Sequence, residues 1–449
     1  MKRISPIIAM IIMAISVTPF LSVCAEDVFS YTLLSDGSYE VTSYKGYGQE
    51  QVNIPSDYLG RAVTAVGDNC FSVISGENVS YHPEIRKITV PYTINSIGDN
   101  AFTGTTWIDD PTTADENGFV IINNILVKYQ GNASLLTIPE VTTINYRSFA
   151  GNEMLTGMKI PLTVTKIMDY AFADCVNLNA ADLPENLSYL GSSAFRNTGF
   201  HSVTVPVGIT VVASSLFYGC KNLTTVNLNG YITSIGKYAF THCTNLKTVN
   251  FIGLGGENVM PANLYSVGYG AFFGCSSLKS MKLGANTSSI GDIAFANCNS
   301  LSTLYVPETA GQEYIGQYAV GFSMTEFGDS YIPVRNNTIV YVIGTSLGRA
   351  NTPFVKYCAK SDSDGLFVPV SYVVQYKYLL GDANGNGKIN AADARLILRH
   401  AADLEYVSNE YFIDANLDGK TTAADARFVL RVAAELDYIT EMLETSANI

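Results

Sequence analysis

The sequence predicts a solenoid of short stacked coils, followed by a small all-α module with two cation-binding loops. Three observations carry that prediction. First, Phe71, Phe102, Phe149, Phe172, Phe195, Phe217, Phe240, Phe272 and Phe295 recur in one local context. The base step is about 23 residues, and internal repeats of that length mean a solenoid. The steps to Phe102, Phe149 and Phe272 are longer and carry insertions. Second, each repeat opens on a strand with apolar residues at fixed spacing, such as Leu223-x-x-Val226-x-Leu228 or Leu246-x-x-Val249-x-Phe251. Third, two near-identical loops, residues 382–393 and 414–425, stand in tandem near the C-terminus.

In chain order, Lys2 and Arg3, the apolar stretch 4–21 and the small residues Val23-Cys24-Ala25 read as a secretion signal, residues 1–25, cut at Ala25. Val23 stands where a lipoprotein box carries Gly, Ala or Ser, which favours release over lipid anchoring. No other stretch is long and apolar enough to span a bilayer. Residues 26–62 are expected to cap the first end of the stack, because an open solenoid edge invites aggregation.

The solenoid is expected over 63–322. After each strand comes a turn, often at proline: Pro91, Pro139, Pro161, Pro184, Pro206 and Pro307. A short segment ending in Ile-Gly follows, as at Ile97-Gly98, Ile235-Gly236 and Ile290-Gly291, and then Ala-Phe closes the coil. One such coil cannot bury its Leu, Ile and Phe alone. Stacked at about 4.8 Å, coils place each Leu over the next and make a continuous core. Cys175, Cys220, Cys243, Cys275 and Cys298 each follow a repeat Phe by three residues and read as a ladder of small buried hydrophobes. Disulfides between coils are the less favoured reading. Of the eight cysteines Cys24 leaves with the signal, so an odd number remains. Metal binding is disfavoured, because no Cys-x-x-Cys occurs and the four histidines are scattered. Residues 323–370 are expected to cap the second end, 371–378 to link, 379–440 to form the helical module and 441–449 to trail.

The repeat core Ile-Gly-x-x-Ala-Phe-x-x-Cys-x-x-Leu resembles the BspA-like leucine-rich repeats of bacterial surface and secreted proteins, over about residues 63–320. The resemblance implies a right-handed leucine-rich-repeat solenoid with short strands on one face. It also implies adhesion or protein binding, with no catalysis attached to the repeats.

Each of the two C-terminal loops places oxygen-bearing side chains at positions 1, 3, 5, 9 and 12 and glycine (Gly387, Gly419) at 6. Ca²⁺ takes six to eight oxygens, and the glycine permits the sharp turn that aims them inward. The spacing is that of an EF-hand loop, except that Asp replaces Glu at position 12. Residues 372–380 are β-branched and aromatic rather than amphipathic, so only the helices after the loops, 391–402 and 423–436, are expected. Loop, helix, linker, loop, helix, with Asp at 12, resembles a type I dockerin, a small all-α domain with two loop–helix EF-hand-like repeats. The resemblance covers 379–439 and implies two Ca²⁺ ions. Asp382, Asn384, Asn386, Asn390 and Asp393, with the Lys388 carbonyl, would hold one. Asp414, Asn416, Asp418, Thr422 and Asp425, with the Lys420 carbonyl, would hold the other.

Dockerins bind cohesin modules of a scaffoldin through loop positions 10 and 11 and the helix behind. Here those are Ala391, Ala392, Leu398 and Arg399, and Ala423, Ala424, Leu430 and Arg431. The well-known pattern has hydroxyl residues at 10 and 11, so the paired alanines imply a different cohesin specificity. The two segments nearly coincide, so a pseudo-two-fold module would offer either face to one partner.

The net charge of −13 argues against nucleic-acid binding and suits a secreted protein. No His-Glu-x-x-His or Walker loop occurs. The acids Asp169, Asp174, Asp182 and Glu185 read as solvated surface rather than a glycosidase pair. Segment 105–118 holds the only tryptophan, Trp107, beside Asp109, Asp110, Asp115 and Glu116. A sugar platform is one reading, and an insertion loop with Trp107 covering a coil edge is the favoured one. Tyr170, Tyr238 and Tyr269 occupy variable slots and suit either packing or a binding surface, while His201 and His242 read as structural.

The expectation is therefore a secreted, extracellular, non-catalytic cellulosomal component. Its dockerin docks a cohesin when Ca²⁺ is bound, and its solenoid binds a protein or glycan. The alternative is a polysaccharide-degrading or carbohydrate-binding subunit. Neither nucleic acid nor a membrane span belongs to this reading.

Overall fold

Short parallel strands, stacked one rung per coil, carry the backbone hydrogen bonds that single coils cannot satisfy for themselves. In the computed structural model the described residues are 28–75, 78–252, 258–307, 314–327, 330–335, 338–344, 372–376, 383, 390–404, 420–433 and 445–447. The chain divides into two units, residues 1–113 and 114–449.

In the first unit, Phe29–Leu33 pairs antiparallel with Tyr39–Tyr44. Gln51–Asn53, inside the segment read as a cap, already pairs in parallel with Lys87–Thr89. Ala65-Val66 pairs in parallel with Ser96–Ile97. Tyr44, Phe71 and Phe102 form a buried aromatic run with ring centroids 5.3 and 5.7 Å apart. A one-turn helix, α1 (Thr106–Asp109), follows, N-capped by the Thr105 hydroxyl.

The second unit opens on a hairpin, Phe119–Ile122 with Ile125–Tyr129. Two parallel ladders then run through the coils. One stacks the predicted strands, for example Thr225–Asn229 on Thr248–Ile252. The other stacks the two residues that end in Ile before Gly, as Ser289–Ile290 on Tyr314–Ile315. Strands therefore line two faces of each coil, not the single face implied by the resemblance. A two-residue strand is too short to leave a period of its own in the sequence. Glycine follows it because the coils touch: a Cβ on Gly236 would lie 2.8 Å from the backbone of Val212 and Ser214.

A third ladder runs through the turns that carry the phenylalanines. Ser215, Phe217 and Gly219 donate their backbone N–H to Lys237, Ala239 and Thr241 of the next coil, at 2.8, 2.9 and 2.8 Å. Donating at every second residue around a tight corner needs left-handed backbone on both sides of the ring. The residue two before Phe has φ between 47 and 58° from Asn69 to Ile293. The residue two after is Gly, Asp, Asn or His from Gly104 to Asn297, the types that adopt this region most readily. Between these corners Phe149, Phe172, Phe195, Phe217, Phe240, Phe272 and Phe295 form one column of nearly parallel rings. They are buried, with centroids 4.8 to 6.1 Å apart.

That column is widest, at 6.1 Å, between Phe195 and Phe217. Both strand ladders stop at the same junction. One ladder ends at Ala180–Asp182 and resumes at Ser202–Thr204, and the other ends at Tyr189–Leu190 and resumes at Val211–Val212. The turn ladder alone crosses, through Phe195 N to Leu216 O at 3.1 Å. The cause is in the sequence. The step from Phe195 to Phe217 is one residue short, and Phe200 stands five residues after Phe195 where other coils place Leu six after Phe. This buried ring packs at 5.2 Å against Phe195 at the junction where the ladders stop.

Beyond the repeats, Thr303–Pro307, Ile339–Gly344 and Tyr372–Tyr376 continue in parallel, and Thr445–Ala447 closes this sheet antiparallel. Two helices, α2 (Ala391–Ala401) and α3 (Ala423–Ala433), form the predicted helical module.

Two outcomes follow from this backbone. In native-state hydrogen exchange, the amides of 201–204 and 210–213 should exchange ahead of those of 225–229 and 234–236; equal protection would show that the seam is closed in solution. Ile293 is β-branched at φ 47°, so Ile293→Asn should raise the stability of the solenoid by about 1 kcal/mol in denaturant titration. A loss of stability would mean that its side-chain packing outweighs the strain.

Candidate functional site

The helical module is a duplicated structure. Ala394 and Ile397 of α2 pack with Ala426 and Val429 of α3, and Leu396 and Phe428 lie against this cluster. Each residue of α2 in the cluster has its counterpart at the same place in the second copy, so the core is built from equivalent positions. It is a small core for an independent module.

Each helix starts on the last residues of a loop. Asn390 caps α2: its Oδ1 accepts from Ala392 N at 2.8 Å, and its own N–H donates to Asp393 Oδ2 at 2.9 Å. The second copy repeats this with Thr422, whose hydroxyl accepts from Ala424 N at 3.1 Å and whose N–H donates to Asp425 Oδ2 at 2.7 Å. Capping favours these residue types at both helix starts. Asp393 and Asp425 are both 0% exposed. A fully buried carboxylate is costly unless charge and hydrogen bonds compensate it, and the cap supplies part of that. Oxygen donors fixed in this way suit a hard divalent cation. Of the other expected ligands Lys420 is described and exposed. Asp382, Asn384, Asn386, Lys388, Asp414, Asn416 and Asp418 lie outside the described residues.

The outer faces match as well. Ala391, Ala392, Arg395, Leu398 and Arg399 are exposed on α2, as are Ala423, Ala424, Arg427, Leu430 and Arg431 on α3. Leu398 and Leu430 are 49% and 48% exposed, a large apolar side chain left at one equivalent place on each helix. The spacing i, i+1, i+4, i+7, i+8 puts each set on one helix face.

In the solenoid the cysteine ladder has a more specific role than filling space. The thiols of Cys175, Cys220, Cys243, Cys275 and Cys298 donate to the backbone carbonyls of Phe149, Phe195, Phe217, Phe240 and Phe272, at 3.0 to 3.1 Å. Each carbonyl belongs to a repeat Phe of the coil stacked beneath. All five thiols are free and buried. Burial pushes the thiol pKa up, to about 12 in Cys175 and Cys298 and about 11 in Cys220.

Of the acidic candidates, Asp182 and Glu185 are exposed, while Asp169 and Asp174 join one coil to the next. Asp169 Oδ1 accepts from Ser192 N at 2.8 Å and from Tyr189 Oη at 3.2 Å, which staples one coil to the next. Asp292 does the same for Gln317 N and Tyr314 Oη. Asp174 accepts from Asn197 Nδ2. Trp107 is 9% exposed and packs edge-on against Phe102 at 5.0 Å, so its face is not presented to a sugar. Asp110 and Asp115 accept backbone N–H groups within their own turns. Among the described residues no group of three or more His, Cys, Asp or Glu could hold a metal, and no helix is long and apolar enough to cross a membrane. Gly344-Thr345-Ser346-Leu347-Gly348 has Gly-x-Ser-x-Gly spacing after the strand Ile339–Gly344, but its serine lies outside the described residues.

Comparison with known proteins gives two family matches. The BspA type leucine rich repeat region matches in six copies, over residues 73–116, 142–254 and 257–341. The dockerin type I domain matches residues 380–431. No curated protein matches the chain. Among solved structures, a leucine rich cell surface protein from Faecalibacterium prausnitzii is 20% identical, with 63% of this chain and 88% of that one covered and a TM-score of 0.30. A leucine-rich repeat protein from Bacteroides ovatus is 20% identical, covering 70% and 98%, at 0.30. The pneumococcal vaccine antigen PcpA is 16% identical, covering 77% and 96%, at 0.35.

The thiol geometry sets an expectation. Native protein should show no reaction of these five cysteines with a thiol reagent at neutral pH, and full reaction in denaturant. Rapid native labelling, or a disulfide found by mass spectrometry, would contradict the ladder. Because the folded thiols stay protonated above the usual value of 9.0, unfolding releases protons there, so stability should fall as pH rises past that value.

Proposed function

This chain belongs to the BspA-type leucine-rich repeat family and ends in a type I dockerin domain; from that premise we propose that it is a secreted, non-catalytic recognition subunit. The dockerin attaches it to a cohesin of a cellulosomal scaffoldin, and the solenoid presents the surface that binds a protein or glycan. The observation that carries the reading is the matched exposure of Ala391, Ala392, Leu398 and Arg399 with Ala423, Ala424, Leu430 and Arg431. A duplicated apolar and basic face has no use inside so small a module, and it suits a partner that is engaged through either copy.

Calcium belongs to the same proposal. Asp382, Asn384, Asn386, Asn390 and Asp393, with the carbonyl of Lys388, would hold one ion, and Asp414, Asn416, Asp418, Thr422 and Asp425, with the carbonyl of Lys420, the other. The bound ions supply positive charge opposite two buried carboxylates, which favours the folded module. The chain's own part is to fix Asp393 and Asp425 through the helix caps at the starts of α2 and α3. The solenoid's role as a binding surface, and the absence of catalysis, rest on the nature of its two domains.

The test is binding of the mature protein to a panel of cohesins, with calcium and with chelator. Tight binding lost on chelation supports the proposal, and no binding to any cohesin removes the docking function. Arg399→Glu or Arg431→Glu alone should weaken binding by about twofold, the statistical loss of one of two equivalent faces. Both together should weaken it more than about thirtyfold, in line with about 2 kcal/mol or more for a central interface charge. A single change that abolishes binding rules out two usable faces. Asp382→Ala with Asp414→Ala should abolish the calcium-dependent helical signal and leave the solenoid's melting unchanged. A circular dichroism spectrum indifferent to chelator in the native protein would remove the calcium role.

A further inference from the structure

The chain carries 40 acidic residues against 27 Lys and Arg, yet four consecutive turns of the solenoid hold no acid at all. These are 192–199, 214–221, 237–244 and 269–276, each centred on a repeat Phe. Between them they carry Arg196, Lys221, Lys237 and His242, and the aromatics Tyr218, Tyr238, Tyr269 and Phe273.

The side chains form a continuous strip across the coils. The Arg196 guanidinium lies over the Tyr218 ring at 5.3 Å. Tyr218 meets His242 at 5.8 Å and His242 meets Phe273 at 5.4 Å, both edge-on. Beside this row Tyr238 meets Tyr269 at 5.1 Å. Lys221, Lys237, Tyr238 and His242 are exposed, and the others are half-buried. Among the described residues none of the four basic side chains has a carboxylate within ion-pair distance. The Nε of Arg196 is buried and finds no hydrogen-bond partner. At the equivalent positions on the flanking coils stand Asp174 and Asp292, each engaged within the solenoid, so the strip has definite ends. Burial and Lys221 hold His242 below the usual imidazole value, so at neutral pH it offers hydrogen bonds rather than charge.

We propose that this strip binds a linear acidic polysaccharide, with uronic-acid carboxylates paired to Arg196, Lys221 and Lys237 and sugar rings lying on Tyr238 and Tyr269. The inference rests on the reading of the solenoid as a recognition surface and names the class of its ligand. Unpaired cations on an acidic protein mark a site for an anion, because an exposed basic group gains most from a partner that its own chain withholds. Tyrosine supplies flat, rigid, amphipathic area that suits the apolar face of a pyranose. One turn per coil sets basic or aromatic side chains along a line, which fits an extended polymer. An extended peptide fits less well, since the backbone N–H groups of Phe217, Gly219, Phe240 and His242 are spent on the next coil and leave no edge for strand addition.

The test is calorimetric titration of the calcium-saturated full chain with oligogalacturonides, their fully methyl-esterified forms, a poly-glutamate peptide and a single-stranded oligonucleotide. Cohesin binding is measured on the same samples. Oligogalacturonide should bind, more weakly as salt rises, and the uncharged ester should bind at least about tenfold more weakly. Lys221→Glu with Lys237→Glu should cost about tenfold in affinity at unchanged melting temperature, since both side chains are exposed. Tyr238→Ala should weaken binding as well. Equal binding of the ester, an indifferent double variant, or preference for the peptide or the oligonucleotide would each overturn the proposal. Failure to bind oligogalacturonide with cohesin binding intact overturns the sugar assignment alone and leaves the docking reading in place. Failure of cohesin binding with oligogalacturonide bound does the reverse.

Discussion

Everything in the solenoid depends on one constraint: a single short coil has no interior until another coil covers it. Stacking therefore supplies burial and backbone satisfaction together. The phenylalanine column shows the first, with fully buried rings following one another at van der Waals range through six junctions. The three ladders show the second. Neither works without the other, because a coil that slides out of register loses both its rings' contacts and its hydrogen bonds. A buried Phe of this kind is worth about 2–3 kcal/mol in transfer free energy, repeated at every rung.

Close coil approach then dictates chemistry at particular places. The corners around each Phe need left-handed backbone, which explains Gly, Asn and Asp two residues after the ring. The interior corner leaves a carbonyl pointing at the coil above, and a cysteine thiol is small enough to fit there and still donate. Ser and Thr hydroxyls do related work at the outer turns, as Thr224 does toward His201 O at 2.9 Å. Where the turn is one residue short, at 197–200, the same logic fails in a defined way. The larger Phe200 occupies the leucine position, the column widens and both strand ladders stop.

The C-terminal module meets the same shortage of core by a different route. Two equivalent helices share a cluster of four buried side chains, Ala394, Ile397, Ala426 and Val429. Their buried aspartates accept the backbone N–H of Asn390 and Thr422, which ties each helix start to that small core. Duplication has the further effect of presenting the same exposed set of alanine, leucine and arginine twice.

The sequence by itself determined the period, the residues of the core, the two-domain order and the helix starts at Ala391 and Ala423. Such features are written in local spacing: Phe240 and its neighbours at a recurring step, or oxygen donors at fixed loop positions. It also marked the cysteines as buried, because they hold a constant offset from the ring. The second ladder was not legible, since two residues carry no period; Trp107 was legible as cover for a coil edge, but not the ring it meets, Phe102. Only the tertiary structure decided which carbonyl each thiol meets, where the stack opens, and that Arg196, Tyr218, His242 and Phe273 share one face. The physical reason is that these partners belong to different coils. Their proximity is set by stacking, and a pattern read along one chain fixes what recurs without fixing what touches across the gap.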